Sequence, residues 1–423
     1  MILQHPWNTP CRARVGFVFL CLLASSFSMV TGADLDPIGD RFEVEGIEVC
    51  LMTGGDVAVT WFESISGQES LLRIYAPDGT PRGDEIVVYQ DADDSPLVPP
   101  TLCCDPGGGV RVLWGVPSTL FATNALESRL FDENGAPDGP VISVAGETPI
   151  NWPVTMACQP DGFLAHWYRE TTDPFDEIHY LVRRFASDGT PAGSEFRVDV
   201  PDSSREPASD LAARQDGGFV VAWAGPGSGK VTAQAYDAVD AEVGPEMTVR
   251  DLGGSEVFAD IDVAVRADGT AFFVWTEDEF FFDFPRVWGR AFDPAGDPVS
   301  AAFSVDGDPT GQYTGHDVAV HRTGDLAVIW GRLIDDHILG RVFAPDGTPL
   351  QPTATLAMDL EGAGSRWRMN LTSAVTGVYV LSHYGESAQG GQTVPFVQFL
   401  DGGLLFEDGF ESGDVSAWSA VVP

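Results

Sequence analysis

The sequence predicts an all-β fold, a seven-bladed β-propeller of four-stranded antiparallel blades, and three observations carry this prediction. A tryptophan ends a short apolar run at regular intervals, a second motif follows each run, and no segment has a convincing helical period. Successive tryptophans are 52 to 56 residues apart. This interval fits one four-stranded blade, whereas an immunoglobulin-like sandwich needs roughly 100 residues per domain.

The first motif is exemplified by GGFVVAW at 217–223, an apolar run that does not alternate with polar residues. Strands covered on both faces have this pattern, whereas strands on a half-exposed sheet alternate. We expect odd-numbered residues of the run, such as Phe219, to face one neighbouring blade, and even-numbered residues, such as Val220, the other. The runs end at Trp61, Trp114, Trp167, Trp223, Trp275 and Trp330, and a seventh run, VYVLSH, ends at His383.

The second motif combines an arginine, an aromatic residue and an Asp-Gly turn followed by proline, as in RVFAPDGTPLQ at 341–351. Its copies begin at Arg73, Arg129, Arg183, Gln234, Arg290 and Arg341. Such turns join antiparallel strands. Each unit therefore contains four strands, exemplified by residues 210–215, 218–223, 231–237 and, from the preceding unit, 194–200.

The two ends of the chain indicate how the ring closes. The seventh unit stops at 399–403 without a fourth strand, while IGDRFEVEG at 38–46 is similar to AGSEFRVDV at 192–200. We expect residues 41–45 to complete the last blade beside the strand at 394–400, which removes an exposed edge. An open or stacked array is the alternative.

The composition excludes several partners. The 423 residues carry 63 acidic and 23 basic side chains, a net charge of −40. Nucleic acids and anionic membrane surfaces both require clustered lysine and arginine. The charge is that of a very soluble protein, expected to be a monomer, or of one whose carboxylates bind cations.

The N-terminus has the pattern of an export signal. Arg12 and Arg14 precede an apolar run at 15–30 and the small residues TGA at 31–33. We expect a signal peptide at 1–33, the propeller at 34–403 and a C-terminal tail at 404–423. After signal cleavage no membrane span is expected, and the predicted location is secreted or at the cell surface.

The repeats resemble those of large secreted bacterial surface proteins. The similarity rests on DGGFVVAW (216–223), GSEFRVDV (193–200) and GRVFAPDGTP (340–349), and it covers nearly all of residues 38–403. The tail at 406–423 resembles C-terminal segments of other secreted bacterial proteins around GFESGDxSxW. The resemblance implies secretion and a repeat fold. The nonapeptide calcium repeats that often accompany such proteins are not found in this sequence.

Four cysteines remain after the signal peptide, as expected for disulfides in an exported protein. Counting from the glycine turns places Cys50 and Cys103 at one position of the first strand, and Cys104 and Cys158 at the next. Adjacent residues face opposite ways, so the favoured pairs are Cys50–Cys104 and Cys103–Cys158. A vicinal Cys103–Cys104 bond and buried thiols are the alternatives.

A polar residue begins the first strand of every unit, six positions before the turn. These residues are Glu48, Thr101, Thr155, Asp210, Asp262, Asp317 and Asn370. The four acidic ones, Glu48, Asp210, Asp262 and Asp317, are candidate ligands for calcium or magnesium, which prefer oxygen ligands. The alternative is that all seven cap backbone groups where the strands begin.

The connections between second and third strands form the candidate binding site. They are expected on one face and are acidic and rich in phenylalanine. The predicted binding residues are Asp173, Asp176, Glu177, Glu277, Asp278, Phe281, Phe282, Asp335 and Asp336. An equally open reading is that the phenylalanines only cover the ends of neighbouring blades.

The sequence contains no recognisable catalytic signature, such as a nucleophile elbow, a zinc-binding HExxH or a phosphate loop. His166 follows an apolar run and is predicted to belong to the core. The predicted function is therefore non-catalytic binding of a carbohydrate or a surface protein, an adhesive role included. A propeller enzyme acting on glycans, a lyase or a hydrolase, is the alternative, because acidic loops offer many carboxylate pairs.

Overall fold

A computed structural model describes most of the chain as β-structure. The described residues are 33–34, 44–64, 68–77, 80–91, 99–117, 123–149, 151–170, 178–198, 208–225, 229–252, 257–278, 286–307, 313–320, 324–332, 337–357, 369–373, 378–386 and 393–401. Within these ranges no helix is long and apolar enough to span a membrane.

The strands are numbered in chain order. They are β1 (Ala33–Asp34), β2 (Val44–Leu51), β3 (Val57–Ser64), β4 (Gln68–Tyr75), β5 (Ile86–Asp91), β6 (Thr101–Cys104), β7 (Val110–Pro117), β8 (Thr123–Phe131), β9 (Ile142–Pro149), β10 (Asn151–Gln159), β11 (Gly162–Glu170), β12 (Ile178–Ala186), β13 (Phe196–Arg197), β14 (Ala208–Ala213), β15 (Phe219–Gly225), β16 (Lys230–Tyr236), β17 (Glu242–Asp251), β18 (Val257–Val265), β19 (Ala271–Asp278), β20 (Arg286–Phe292), β21 (Phe303–Ser304), β22 (Tyr313–Val320), β23 (Leu326–Arg332), β24 (His337–Phe343), β25 (Ala354–Ala357), β26 (Met369–Ser373), β27 (Val378–Glu386) and β28 (Thr393–Asp401).

Six antiparallel sheets each consist of four consecutive strands, which we number as blades 1 to 6: β2–β5, β6–β9, β10–β13, β14–β17, β18–β21 and β22–β25. A last sheet has the order β1-β28-β27-β26 and so depends on a distant strand. The first strand of each blade contacts the first strand of the next. The protein is therefore an all-β propeller of four-stranded antiparallel blades, with six blades complete in consecutive strands where the sequence predicts seven.

The predicted position of the N-terminal strand is wrong. Val44 and Glu45 belong to β2, the first strand of blade 1, where they pair with Glu63 and Phe62. The strand beside β28 is instead β1, in which Ala33 pairs with Val397. The physical reason is that β2 extends towards the N-terminus beyond a register shift between Glu45 and Glu48. Val44 and Glu45 therefore pair within blade 1 and are not available to the last sheet. Residues 41–43 lie outside the described part.

The core lies between the blades, as the uninterrupted apolar runs predict. Val220 of β15 packs in a cluster with Trp275 of blade 5, whereas Phe219 packs in a cluster with Val182 of blade 3. Trp61, Trp114, Trp167, Trp275 and Trp330 are fully buried. Trp223 is half-buried. The expected alternation of sides along 219–223 is confirmed.

Both predicted disulfides are present, and the alternative vicinal pairing is excluded. Cys50 of β2 is bonded to Cys104 of β6, and Cys103 of β6 to Cys158 of β10, with Cα atoms 5.6 Å and 5.4 Å apart. Because Cys103 and Cys104 point to opposite sides of β6, each reaches a different neighbour. The two bonds link blades 1, 2 and 3 covalently.

Candidate functional site

The seven polar residues identified in the sequence occupy one structural position, and we call this set the axial ring after the location that the sequence predicts for it. The backbone partner of each residue lies on the second strand of the same sheet, one position before the tryptophan, or before His383 in the last sheet. In chain order Glu48, Thr101, Thr155, Asp210, Asp262, Asp317 and Asn370 pair with Thr60, Leu113, His166, Ala222, Val274, Ile329 and Ser382. They therefore stand at the same level of the first strand in successive sheets.

Irregularities in the backbone precede several ring positions. The pairing register shifts between Glu45 and Glu48, between Phe258 and Asp260, and between Thr314 and His316. Gly46 and Gly315, each two residues before a ring position, have positive φ angles of 63° and 54°. Bulges of this kind bend a strand and change the direction of the side chains that follow.

Ring side chains connect each blade to the next by hydrogen bonds. The Glu48 carboxylate accepts from the backbone N–H of Leu102 at 3.2 Å, and Asp210 accepts from Val263 at 2.8 Å. Asp317 accepts from Leu371 at 2.5 Å. Each donor is the residue directly after the ring position of the neighbouring sheet. Glu48, Asp210 and Asp317 therefore cap backbone groups where first strands begin, and in each case the capped group belongs to the next sheet.

Asp262 makes a different connection. Its Oδ2 lies 2.5 Å from Nδ1 of His316, which precedes the ring position of blade 6. The His316 side chain is fully buried, whereas 21% of the Asp262 side chain is exposed. Burial raises the pKa of Asp262 well above its usual value, and Asp260 and Asp210 add to the shift. Burial also lowers the pKa of His316, so a neutral imidazole and a carboxyl that retains its proton are favoured together.

The neighbouring ring carboxyls have the same electrostatic character. Burial raises the pKa of Asp210 to about 7, although the Val263 amide and the Thr155 hydroxyl stabilise the charged form. Burial raises the pKa of Asp317 well above its usual value, and the charge of Asp262 adds to the shift. Burial therefore favours the protonated form of the ring aspartates on three consecutive blades.

The ring carboxylates were also the predicted metal ligands. Glu48 accepts hydrogen bonds from the hydroxyl of Thr101 at 2.5 Å and from an amide, and Asp210 and Asp317 also bond backbone amides. Within the described ranges, no group of three or more His, Cys, Asp or Glu side chains is arranged to hold a metal ion. In the structure these carboxylate oxygens make contacts between blades.

One predicted binding residue has a well-defined structural role. Glu277 of β19 accepts from Trp275 Nε1 at 2.8 Å and from Arg250 Nε at 2.7 Å. Its carboxylate thus fixes blade 5 to β17 of blade 4, and only 11% of its side chain is exposed. Asp278 is the last residue of β19. The other predicted binding residues, Asp173, Asp176, Glu177, Phe281, Phe282, Asp335 and Asp336, lie outside the described residues.

Sequence reasoning missed two members of the site, Asp260 and His316. The available signal was their position, one or two residues before an acidic ring residue. His166 is part of the core, as predicted. Its Nδ1 lies 2.9 Å from the carbonyl oxygen of Leu181 and its Nε2 lies 3.0 Å from Ser209 Oγ.

No family model and no curated protein matches the sequence. Among solved structures, a protein of unknown function from Dyadobacter fermentans is similar with a TM-score of 0.54 and 10% identity, covering 88% of this chain and 98% of that one. A polysaccharide lyase has a TM-score of 0.52 and 10% identity over 85% and 90% of the two chains. Prolyl oligopeptidase B from Galerina marginata has a TM-score of 0.51 and 14% identity over 86% of this chain and 48% of that one. At such identities the similarity shows the fold alone.

Proposed function

We propose that the protein is a secreted, non-catalytic binding module that holds a carbohydrate or a surface protein at the face where the first strands begin. This proposal rests on where the non-repeating connections between second and third strands join their sheets. The terminal pairs Glu170–Ile178, Glu277–Arg286 and Arg332–His337 all lie at this edge of their sheets. Variable connections on a repeated scaffold are a common basis for ligand recognition.

The chemistry of these connections supports a polyhydroxylated or basic ligand. They contain Asp173, Asp176, Phe281, Asp335 and Asp336 among their residues. Carboxylates accept hydrogen bonds from sugar hydroxyls or from basic side chains, and aromatic faces pack against the apolar side of a sugar ring. The net charge of −40 also favours a partner that is neutral or basic.

We also propose that the blades form a closed ring of seven. Two observations support closure. β26 contacts β2, and Val49 N–H lies 3.4 Å from Oδ1 of the Asn370 side chain, which is the same kind of connection that links the other blades. In this arrangement β1 lies beside β28, and Asp34, which pairs with Phe396, is the residue of β1 that remains after removal of 1–33.

Secretion and calcium binding belong to the same proposal. Two disulfides fit an oxidising compartment, and the signal-like residues 1–33 would direct export. Calcium would assist binding through carboxylates of the ring or of the connections.

The test is a binding screen of residues 34–423 against glycans and surface-protein extracts, with and without calcium. We expect at least one glycan or protein to bind without being converted. Replacing Asp335 and Asp336 by asparagine should weaken binding about tenfold or more. The charge-matched control changes Glu133 and Asp138, exposed residues of the turn between β8 and β9, which lies at the opposite face. Equal losses in both variants would contradict the proposed face.

A glycan-active enzyme is the second candidate, and the contact between Asp262 and His316 favours it. A carboxyl with a raised pKa beside an imidazole can act as an acid-base pair. The polysaccharide lyase among the similar structures is consistent with this reading. Detection of cleaved glycan by wild type but not by Asp262→Asn, with ligand binding retained, would decide for the enzyme.

A further inference from the structure

The residue two positions after the tryptophan of an apolar run determines whether the indole N–H has an acceptor. In blade 1, Trp61 Nε1 donates to the carboxylate of Glu63 at 2.9 Å, and in blade 5, Trp275 Nε1 donates to Glu277 at 2.8 Å. Residues two apart on a strand face the same side. The indole N–H at this position therefore points along the second strand, towards its connection with the third strand.

Blade 3 has the opposite arrangement. The residue two positions after Trp167 is Arg169, whose side chain offers only donors. Two of its nitrogens bond the carboxylate of Glu195 at 2.6 Å and 3.0 Å. Its Nε is buried and has no hydrogen-bond partner in the part of the chain that the structure describes, and the same holds for Nε1 of the fully buried Trp167. Two unpaired donors therefore lie on the same side of β11.

The fourth strand of the preceding blade does not supply a side-chain acceptor either. Val144 of blade 2 and Val249 of blade 4 are equivalent, because the carbonyl of each accepts from the second-motif arginine of the next blade. The residue after Val249 is Arg250, which bonds Glu277, whereas the residue after Val144 is Ala145. An alanine side chain has no hydrogen-bonding group. The boundary of blades 2 and 3 thus has two donors and no acceptor, where the boundary of blades 4 and 5 has a carboxylate between two donors.

Arg169 connects the buried indole to the surface at the proposed binding face. The connection that follows β11 contains Asp173, one of the predicted binding residues. The side chains of Arg169 and Glu195 are 18% and 37% exposed. A ligand at this face therefore meets the guanidinium first, and the indole N–H of Trp167 lies directly behind it along the strand.

The two donors specify the chemistry of the missing acceptor. A carbonyl oxygen has two lone pairs and no hydrogen, so it can accept from both donors without adding a group that itself needs a partner. A hydroxyl oxygen also accepts, but its proton would be buried beside two donors, which is unfavourable. An anion is not required, because Arg169 and Glu195 already neutralise each other and the whole chain has a net charge of −40.

A pendant carbonyl fits this position better than a carbonyl of a peptide backbone. The donors lie behind a side chain, so the acceptor has to project from the ligand. The acetamido substituent of a sugar projects in this way, and its methyl group matches the apolar surroundings, since Trp167 belongs to a buried cluster with Leu126 and Ala145. A peptide carbonyl is flanked by the chain on both sides.

We propose that Trp167 and Arg169 form a subsite at the boundary of blades 2 and 3 that receives the acetamido carbonyl of an N-acetylated sugar. In the complex the carbonyl oxygen accepts from Trp167 Nε1 and from the guanidinium of Arg169, whose side chain turns aside to admit it. The inference rests on the proposed carbohydrate-binding function and names the class of sugar.

The experiment compares two trisaccharides by calorimetric titration of residues 34–423. The first is tri-N-acetylchitotriose, and the second is cellotriose, which has the same linkage and a hydroxyl in place of each acetamido group. We expect the acetylated sugar to bind about tenfold more tightly or better, because it alone supplies the carbonyl acceptor. Equal affinities, or no binding of either sugar, would overturn the proposal.

Arg169→Gln is the decisive variant, because it places an acceptor beside the indole N–H, as Glu63 and Glu277 do in their own blades. The indole is then satisfied within the protein, and we expect the preference for the acetylated sugar to disappear. The position is partly exposed, so this change does not disturb the core. A preference retained in Arg169→Gln would refute the subsite.

Two matched tryptophan variants isolate the indole N–H. Trp167→Phe removes the unpaired donor and should abolish the preference, whereas Trp275→Phe makes the same change where Glu277 already accepts the N–H and should retain it. Equal effects of the two variants on the preference would contradict the role given to Trp167. In wild type, which needs no substitution, the indole N–H resonance of Trp167 should shift with the acetylated sugar and not with cellotriose, and an unchanged resonance would also overturn the proposal.

Two further outcomes separate this subsite from the proposed function. A capped triglycine peptide that binds as tightly as the acetylated sugar, and depends on Trp167, would assign the donors to peptide carbonyls and overturn the choice of sugar. A glycan without acetamido groups that binds in the screen, and depends on Asp335 and Asp336, would support the proposed binding face while overturning only this subsite.

Discussion

At the scale of single residues, a contact made by the arginine of the second motif explains why this arginine recurs in most units of the chain. Its Nε donates to the carbonyl of the residue ten positions later, across the turn that follows. The pairs are Arg73–Gly83, Arg129–Gly139, Arg183–Gly193, Arg290–Ser300 and Arg341–Gln351. In four of these units the guanidinium also lies over the aromatic ring two residues later. The arginine therefore fixes the path of the chain from the third strand to the fourth.

Replacing Arg290 tests this role. Arg290 donates to Ser300 O at 3.3 Å and to Val249 O of blade 4 at 2.9 Å, and lies 4.9 Å from the centre of the Phe292 ring. We expect Arg290→Ala to lower the free energy of unfolding by about 2 kcal/mol, since charge-assisted bonds and a cation–π contact are lost. Urea unfolding measures the loss.

Arg290→Gln is the matched control for this change. Blade 4 already uses Gln234, whose Nε2 lies 3.3 Å from the carbonyl of Val243. The glutamine variant should therefore retain part of the stability. Equal losses for alanine and glutamine would assign the effect to the guanidinium contacts with Val249 and Phe292 rather than to the turn.

The contacts of the axial ring were predicted only in part from the sequence. The spacing of Glu48, Asp210, Asp262 and Asp317 correctly placed four acidic residues at one structural position. It did not predict that each would contact the next blade, because strand periodicity specifies the side of a strand and not the separation between sheets. His316 was missed because it contacts Asp262, which is 54 positions away in the sequence.

At the scale of elements, the turn between third and fourth strands depends on a glycine with a left-handed backbone. Gly347 has a φ of 84°, and a Cβ at this position would lie 2.3 Å from Cδ1 of Phe303 in blade 5. The same turn therefore also provides a close contact between neighbouring blades. Blade 4 has Asp240 at the equivalent place, with a φ of 63°.

The substitution Gly347→Ala should lower stability by about 2 kcal/mol or more, because it adds backbone strain to a steric clash. Gly54→Ala is the control, since a Cβ there meets no atom within 4 Å, and its effect should be within about 0.5 kcal/mol of zero. Thermal unfolding of both variants makes the comparison. Similar melting temperatures for the two variants would contradict the role given to the turn.

The sequence predicted the elements well where their pattern repeats and less well where it does not. Within the described residues, the apolar runs, the Asp-Gly turns and the register of the cysteines correspond to strands or turns in the structure. The N-terminal strand was misplaced, because FEVEG resembles a fourth strand while Val44 and Glu45 actually begin a first strand. Local similarity cannot distinguish two strands that share the same alternation of residues.

At the scale of the whole molecule, the disulfides make blades 1 to 3 a cross-linked unit. Each bond closes a loop of 54 or 55 residues. The chain-entropy estimate for such a loop is about 4 kcal/mol. We expect Cys50→Ser/Cys104→Ser to lower the free energy of unfolding by about 2 to 4 kcal/mol in non-reducing urea titrations. An unchanged urea midpoint would show that this bond does not constrain the unfolded chain.

The same two bonds change what a single cut in the backbone can do. The two loops that they close overlap at the adjacent residues Cys103 and Cys104. Every peptide bond between Cys50 and Cys158 therefore lies inside at least one disulfide-closed loop. A protease that cleaves once between Cys50 and Cys158 leaves one molecule, which separates into two fragments only after reduction. A cut after Cys158 releases a fragment held only by non-covalent contacts. A single cut therefore has unequal consequences along the chain, and the segment from Cys50 to Cys158 is the better protected one.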